Sequence, residues 1–146
     1  MYQRILVPLE HSAYDAAILE HVRRLAKLCG SSLVLMHVAD GWAARNLQAL
    51  ALRESEEITR DRRYLEETCA QLRAEGFEAD AVLAAGDPAG EISAAAERER
   101  CDLIAMATHG HRGLQDLIYG TTANSVRHRT TVPVLMVRGH VPGSAT

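Results

Sequence analysis

Residues 103–122 read LIAMATHGHRGLQDLIYGTT. The first five are apolar without alternation, which is typical of a strand buried on both faces of a parallel sheet. Glycines and threonines are frequent in the remainder, and Leu114, Leu117 and Ile118 have the spacing of one helix face. This stretch therefore predicts a buried strand, a glycine-rich turn and a helix.

Four more apolar runs flank that unit, at residues 5–9, 33–38, 81–85 and 132–137. Helical patterns fill the intervals between them. The resulting β-α-β-α-β-α-β-α-β order favours a three-layer α/β fold with right-handed crossovers.

The helix limits are predicted from glycine and proline. A first helix ends at Gly30 and a second, over residues 54–75, ends at Gly76, because glycine adopts the left-handed cap conformation without strain. Asp87-Pro88 begins a third helix. The first helix is predicted to pack through four apolar residues: Ile18, Val22, Leu25 and Leu28. Residues 40–52, which contain Trp42, are either a short helix or a lid over a site.

Length and composition point to one compact domain. The chain has 146 residues, of which 47% are hydrophobic and 24% charged, and its formal net charge is −3. We expect a domain over residues 1–139 and a flexible tail over 140–146. This charge gives no basic field for nucleic acid, and no apolar run approaches the roughly 20 residues that span a bilayer. We expect a soluble, cytoplasmic protein, and the three scattered cysteines suggest neither disulfides nor zinc.

The glycine-rich turn is the strongest candidate for a site, because ligands of open parallel sheets bind at the carboxyl ends of the strands. Gly110 and Gly113 allow close backbone approach, whereas Gly120 inside a helix would cost about 1 kcal/mol relative to alanine. We therefore predict that the helix breaks at Gly120 and restarts at Thr121 or Thr122, where free N–H groups would bind phosphate. The alternative is a glycine turn with a threonine cap and no ligand.

Other site classes have less support. The chain has no P-loop and no Gly-x-Gly-x-x-Gly after the first strand. His109 and His111 beside Arg112 fit a solvated or phosphate-adjacent position better than a metal site. Because no nucleophile is paired with a base, we favour a binding module over an enzyme.

Five segments resemble the universal stress protein family: RILVPLEHS, SLVLMHVAD, AGDPAGEI, CDLIAMATHG and YGTTANSVRHRTTVPVLMVR. That family's nucleotide signature is Gly-x-x-Gly, nine residues, then Gly-Ser/Thr. Residues 107–110 and Gly120-Thr121 match it except that Ala107 replaces the first glycine. Glu10-His11 likewise replaces the common Asp-Gly.

The resemblance implies a Rossmann-like, five-stranded parallel sheet of order 3-2-1-4-5 and a site for ATP or another adenine nucleotide, with Mg²⁺ as a possible companion. It places Gly110, Gly120, Thr121 and Thr122 at the phosphates. Arg112, as a fork donor, either reaches the terminal phosphate or is simply solvated. The resemblance places Met106 and Ala107 near the ribose, Pro8 and Val38 at the adenine, and Glu10 at the nucleoside, and it includes Leu9, His109 and Gly113 in the site.

The resemblance also implies a homodimer formed through the last strand, residues 132–137. A stress-response module whose dimer responds to nucleotide is then the expected function, with slow ATP hydrolysis at most. The alternative is a dimeric interaction protein of the same fold that binds no nucleotide.

Overall fold

The computed structural model describes residues 1–40, 47–108 and 114–139, without the side chains of residues 40, 47–55 and 114–121. The elements alternate along the chain as the sequence predicts. They are β1 Arg4–Pro8, α1 Asp15–Cys29, β2 Ser32–Asp40, α2 Leu47–Ala74, β3 Ala79–Gly86, α3 Pro88–Arg98, β4 Leu103–Thr108, α4 Leu114–Arg129 and β5 Val134–Arg138.

The five strands form one parallel sheet of order β3-β2-β1-β4-β5. The predicted α/β class, the strand order and the Rossmann-like layering are confirmed. The chain runs from β1 to β2 and β3 on one side of β1, and then crosses to β4 and β5 on the other side. The strand order therefore reverses between β1 and β4. A ligand site is expected at the carboxyl ends of these two strands.

Alternate residues of each buried strand face opposite layers. Ile5 and Val7 of β1 pack in one core with α1 and α2, whereas Leu6 packs in a second core with α3 and α4. Helices on both faces explain why the strand sequences are continuously apolar. In β4 the same alternation sends Met106 towards α3 and α4 and Ala107 towards α1.

Local capping follows the predicted chemistry. Gly30 ends α1 with φ 69°, and its N–H donates to the carbonyl of Ala26. Asp87 caps α3 by accepting from the Gly90 N–H at 3.0 Å, with Pro88 in the first turn. These helix limits are confirmed.

Three expectations are wrong. Leu28 is 86% exposed, because the buried stripe of α1 runs through Leu19 and Ala26 instead. Helix α2 begins at Leu47 rather than near residue 54. Helix α4 continues through Gly120 without a break, since a cost of about 1 kcal/mol is small enough for a helix of this length to absorb.

Asp102 joins β4 to β1 at the opposite edge of the sheet from the expected site. Its carboxylate accepts from the N–H of Gln3 at 3.0 Å and from that of Arg4 at 3.0 Å. Burial opposes ionisation of Asp102, but these backbone hydrogen bonds outweigh it and hold the pKa of this carboxyl below its usual value. Within the described ranges, no helix combines the length and apolar character that a membrane span requires.

Candidate functional site

A narrow cleft opens at the carboxyl ends of β1, β2 and β4. Three strands or their loops supply most of its wall, and α3 and α4 close it from one side. The lining residues are Pro8, Leu9, Glu10, Val38, Pro88, Ile92, Met106, Ala107 and Thr122. The cleft therefore lies at the point where the strand order reverses.

Seven of the residues singled out from the sequence meet in this cleft, although they come from four separate elements or loops. They are Pro8, Leu9, Glu10, Val38, Met106, Ala107 and Thr122. His109, Gly110, Arg112 and Gly113 lie outside the described residues. The backbone of Gly120 and Thr121 belongs to α4, and their surroundings are outside the description.

Two lining residues were missed by the sequence reading. Pro88 and Ile92 belong to α3, and the sequence marked Pro88 only as part of a helix start. Ile92 is 3% exposed and packs beside Met106 in the core between the sheet and α3. The signal that identifies them is topological, because α3 follows β3 directly and its first turn faces the ends of the strands.

Thr122 contributes to the cleft from inside a helix. It is 8% exposed and lies eight residues after Leu114, the first residue of α4. The expected restart at Thr121 or Thr122 is thus wrong, and the free N–H groups of this helix belong to the turn that begins at Leu114.

The loop after β1 is held by one buried carboxylate. Asp15, in the first turn of α1, is 2% exposed. It accepts from the backbone N–H groups of Glu10 at 3.0 Å, His11 at 2.9 Å and Ser12 at 3.2 Å. Asp15, the first residue of α1, therefore holds the loop that precedes this helix through three backbone N–H groups.

Tyr64 donates a further hydrogen bond to the Asp15 carboxylate. The hydroxyl of Tyr64 in α2 donates to Asp15 Oδ2 at 2.6 Å. Burial of the ring, followed by this hydrogen bond to a carboxylate, raises the pKa of Tyr64 well above its ordinary value. The Tyr64 ring also stacks on His11, with the ring centroids 4.1 Å apart, so the loop is fixed both by hydrogen bonds and by packing.

Two histidines share a second carboxylate next to this loop. Asp61 Oδ1 lies 2.7 Å from His11 Nδ1, and Asp61 Oδ2 lies 3.3 Å from His37 Nε2. His37 Nδ1 lies 2.9 Å from the carbonyl oxygen of Leu9. His37 is thus a hydrogen-bonded residue at the edge of the core, and its ring contacts the backbone carbonyl of Leu9, a residue of the cleft.

The chemistry available in the cleft is that of binding. Pro8, Val38 and Met106 offer apolar surface, Thr122 a hydroxyl and Glu10 a carboxylate whose Oε2 accepts from Ser12 Oγ at 2.9 Å. Across the part of the chain that the structure describes, no group of three or more metal-ligating side chains is arranged around a common point. The conceivable metal pair, His109 and His111, lies outside that part.

Comparison with known proteins places the chain in a family. The universal stress protein family model matches residues 1–138. Universal stress protein MJ0577 of Methanocaldococcus jannaschii is 26% identical over 155 residues, covering 94% of this chain and 96% of its own. Its solved structure superposes with a TM-score of 0.83 at 27% identity, again over 94% and 96% of the two chains.

Two more distant structures share the fold and were solved with nucleotides. A universal stress protein of Archaeoglobus fulgidus in complex with dAMP has a TM-score of 0.69 at 20% identity, over 94% of this chain and 98% of its own. A universal stress protein in complex with cAMP has a TM-score of 0.67 at 18% identity, over 95% and 98%. With a family model that spans nearly the whole sequence, this chain belongs to the universal stress protein family.

Proposed function

We propose that this protein binds an adenine nucleotide, ATP in the first place, in the cleft at the ends of β1, β2 and β4, and acts as a stress-response module. One observation carries the proposal. Seven residues that the family resemblance assigns to a nucleotide site converge on one cleft at the position where open α/β sheets bind ligands. The dAMP and cAMP complexes of two relatives support the same ligand class.

The apolar part of the cleft suits a purine base. Pro8 and Val38 come from neighbouring strands, and Ile92 and Met106 form the wall beneath them. A flat aromatic base gains from contact with such surfaces, while polar groups at the rim fix its orientation. Glu10, which lines the cleft, would accept from the ribose hydroxyls.

The phosphates are assigned to the start of α4 for an electrostatic reason. Three helices, α1, α3 and α4, begin close to the carboxyl ends of the strands, and each helix start favours anions. Asp87 already caps the start of α3 with a carboxylate. Asp15 already occupies the start of α1 with a negative charge, which would repel a triphosphate. Gly110, Arg112 and Gly113, which precede α4 in the sequence, are then proposed to bind the phosphates, and Mg²⁺ would accompany ATP there. Gly120, Thr121 and Thr122 would contribute from two turns further along α4.

The test measures nucleotide binding directly. Protein purified without added nucleotide is denatured and any released small molecule is identified by mass spectrometry, and the melting temperature of the empty protein is then measured with ATP, ADP and AMP. A ligand at one hundred times its Kd stabilises the native state by about 2.7 kcal/mol. If no nucleotide is released and no thermal shift is observed at millimolar concentrations, the proposal is refuted and the nucleotide-free interaction protein is favoured.

Thr122→Val tests the location of the site. Valine has the shape of threonine but lacks the hydroxyl, so the variant is expected to fold and to bind ATP more weakly by about tenfold, the effect of losing one hydrogen bond to a charged group. Thr131→Val, at an exposed position beyond α4, is the matched control and should bind as the wild type does. Equal affinities in the two variants would place the ligand elsewhere.

We also propose a homodimer through the last strand. β5 lies at the edge of the sheet, and Met136 on it is 42% exposed. An apolar edge strand is stabilised when another chain covers it. Light scattering should find a dimer for the wild type and a monomer for Met136→Arg, and a wild type that is monomeric at micromolar concentration would exclude this interface.

A further inference from the structure

The side chain of Glu10 is held by the loop that joins β1 to α1. Glu10 Oε2 accepts a hydrogen bond from Ser12 Oγ at 2.9 Å, and the Glu10 N–H donates to Asp15 Oδ1 at 3.0 Å. Ser12 Oγ also accepts from the backbone N–H of Tyr14 at 3.3 Å. Because that N–H can only donate, the single hydrogen of the Ser12 hydroxyl is available for Glu10. The hydroxyl therefore links the cleft carboxylate to the backbone just before α1.

His11, the residue between Glu10 and Ser12, turns the chain so that these two side chains meet. Its φ is 64°, in the left-handed region that residues other than glycine seldom adopt. Such a conformation persists only where the surrounding contacts hold it. Here the His11 N–H donates to Asp15 Oδ2 at 2.9 Å, and the His11 ring stacks on Tyr64. The turn that brings Ser12 beside Glu10 is thus held both by its backbone and by its side chain.

A carboxylate held in this way can recognise a ligand only by accepting hydrogen bonds from it. Glu10 lines the cleft together with its neighbours Pro8 and Leu9, where the proposed function places the nucleoside. The two ribose hydroxyls are donors that suit a carboxylate. In dinucleotide-binding sheets, an acidic residue binds a ribose hydroxyl in the same way. The Glu10 carboxylate can therefore distinguish a ribose from a sugar that lacks its hydroxyls.

We propose that Ser12 is a positioning residue for Glu10, and that the pair selects adenine nucleotides by the hydroxyls of their ribose. The selection rests on the proposed nucleotide site. Ser12 acts through orientation, because an acceptor that is fixed before the ligand arrives loses less side-chain entropy on binding. A glutamate without this hydrogen bond has more rotamers to lose. Its preference for a ribose over a sugar without hydroxyls is then smaller.

Substitutions of Ser12 separate orientation from a merely structural role. Ser12→Ala removes the hydroxyl at an exposed position, so the fold should be preserved. Ser12→Thr keeps the hydroxyl and should keep the selection. Ser32→Ala is the matched control, because Ser32 Oγ donates to the Gln3 carbonyl at 3.3 Å at the amino end of β2, away from the cleft. If Ser12→Ala does not fold, Ser12→Cys provides a second variant, since a thiol is only a weak donor.

The first readout is the ratio of the Kd values for dideoxyATP and ATP, which differ only in the two ribose hydroxyls. Calorimetry should find ATP bound at least about tenfold more tightly by the wild type, Ser12→Thr and Ser32→Ala, the effect of one hydrogen bond to a charged group. In Ser12→Ala the ratio should fall by about threefold, whereas a merely structural role would weaken both nucleotides alike. Equal binding of the two nucleotides by the wild type, as expected if Glu10 accepted from the adenine amino group, would overturn the proposal. An unchanged ratio in Ser12→Ala would do so as well.

The second readout needs no nucleotide. Three-bond couplings measured by NMR in the empty protein report whether the Glu10 side chain occupies one staggered rotamer or several. We expect one dominant rotamer in the wild type, Ser12→Thr and Ser32→Ala, and averaging over several rotamers in Ser12→Ala. Equal averaging in the wild type and Ser12→Ala would refute the positioning role. If none of the proteins binds ATP, the proposed function fails, and the role of Ser12 is decided by these couplings alone.

Discussion

The contact between Tyr64 and Asp15 is expected to be one of the strongest single interactions in the described structure. The carboxylate of Asp15 is almost fully buried and accepts from three backbone N–H groups and one hydroxyl. A hydrogen bond to a charged group contributes about 1.5 to 3 kcal/mol. Removing the tyrosine hydroxyl by Tyr64→Phe should therefore lower the free energy of unfolding by about 2 kcal/mol.

Asp15→Ala removes all four hydrogen bonds, but it should lower the free energy of unfolding by less than four times the loss expected for Tyr64→Phe. His11 and Ser12 are exposed, so water can reach their N–H groups, and the variant no longer has to bury a carboxylate. We expect a loss of about 3 kcal/mol, within the range found when a buried charged contact is broken. For a domain of this size, that corresponds to a melting temperature lower by about 9 °C.

A double-mutant cycle measures the contact itself. Once Asp15 is alanine, the Tyr64 hydroxyl has lost its acceptor, so Tyr64→Phe should then cost less than about 0.5 kcal/mol, giving a coupling near 1.5 kcal/mol. Urea unfolding followed by circular dichroism provides the free energies, and Tyr2→Phe serves as the control. Additive losses in the double variant would show that the two side chains do not interact, and the account of the loop would be wrong.

The same contact predicts an alkaline limit to stability. The pKa of Tyr64 is raised on folding, so above about pH 10, the ordinary tyrosine value, the native state binds more protons than the unfolded state. The free energy of unfolding then falls as the pH rises. Tyr64→Phe should show a shallower fall than the wild type over this range, and parallel curves would contradict the assignment.

Three further predictions concern other parts of the fold. Because the pKa of Asp102 is lowered on folding, stability should fall as the pH drops through the carboxyl range, and Asp102→Asn should reduce that fall in urea titrations. Thiol reagents at neutral pH should modify Cys29 in the native protein before Cys69 and Cys101. Both of these cysteines are buried, and burial raises the pKa of Cys101 to about 11. Equal rates of modification of the three cysteines, measured by mass spectrometry, would refute this. Because α4 runs through Gly120, Gly120→Ala should raise thermal stability by about 0.5 to 1 kcal/mol, and a simultaneous loss of ATP affinity would show that the nucleotide approaches that backbone.

The strand positions and most helix limits were predictable because they depend on local chemistry. The runs around Ile5 and Ile104 are apolar at every position, which only a sheet covered on both faces allows, and Gly30 and Pro88 have few alternatives to the caps that they form. The strand order came from resemblance to a family. The position of the cleft could be predicted because the carboxyl ends of parallel strands all lie at one edge of the sheet.

The errors occur where tertiary packing overrides local preference. Leu28 has apolar spacing with Leu25, but it lies beyond the surface that the sheet can cover, and it is exposed. Gly120 disfavours a helix by an amount that the neighbouring turns outweigh. The carboxylate network was not predictable at all, because Asp15 and Tyr64 are 49 residues apart, and Asp61 and His11 are 50 apart. No periodicity links such pairs.

The position of Asp15 leads to a last prediction about the charge arrangement of the site. In Asp15→Ala, the N–H groups of Glu10, His11 and Ser12 would still point at the place that the carboxylate occupied, beside a helix start that favours anions. A small carboxylate in solution can fill that place, so acetate or formate should restore part of the lost stability.

The rescue would have a defined dependence on concentration. The gain follows RT ln(1 + [L]/Kd) and reaches about 1.4 kcal/mol at ten times the Kd. Chloride at equal ionic strength controls for screening, and Tyr64→Phe, which keeps its carboxylate, controls for general effects of the anion. A rescue confined to Asp15→Ala would show that the loop N–H groups before α1 form an anion site that Asp15 occupies. If acetate stabilises all three proteins equally, Asp15 does not fill such a site, and the reason for assigning phosphate to α4 alone is lost.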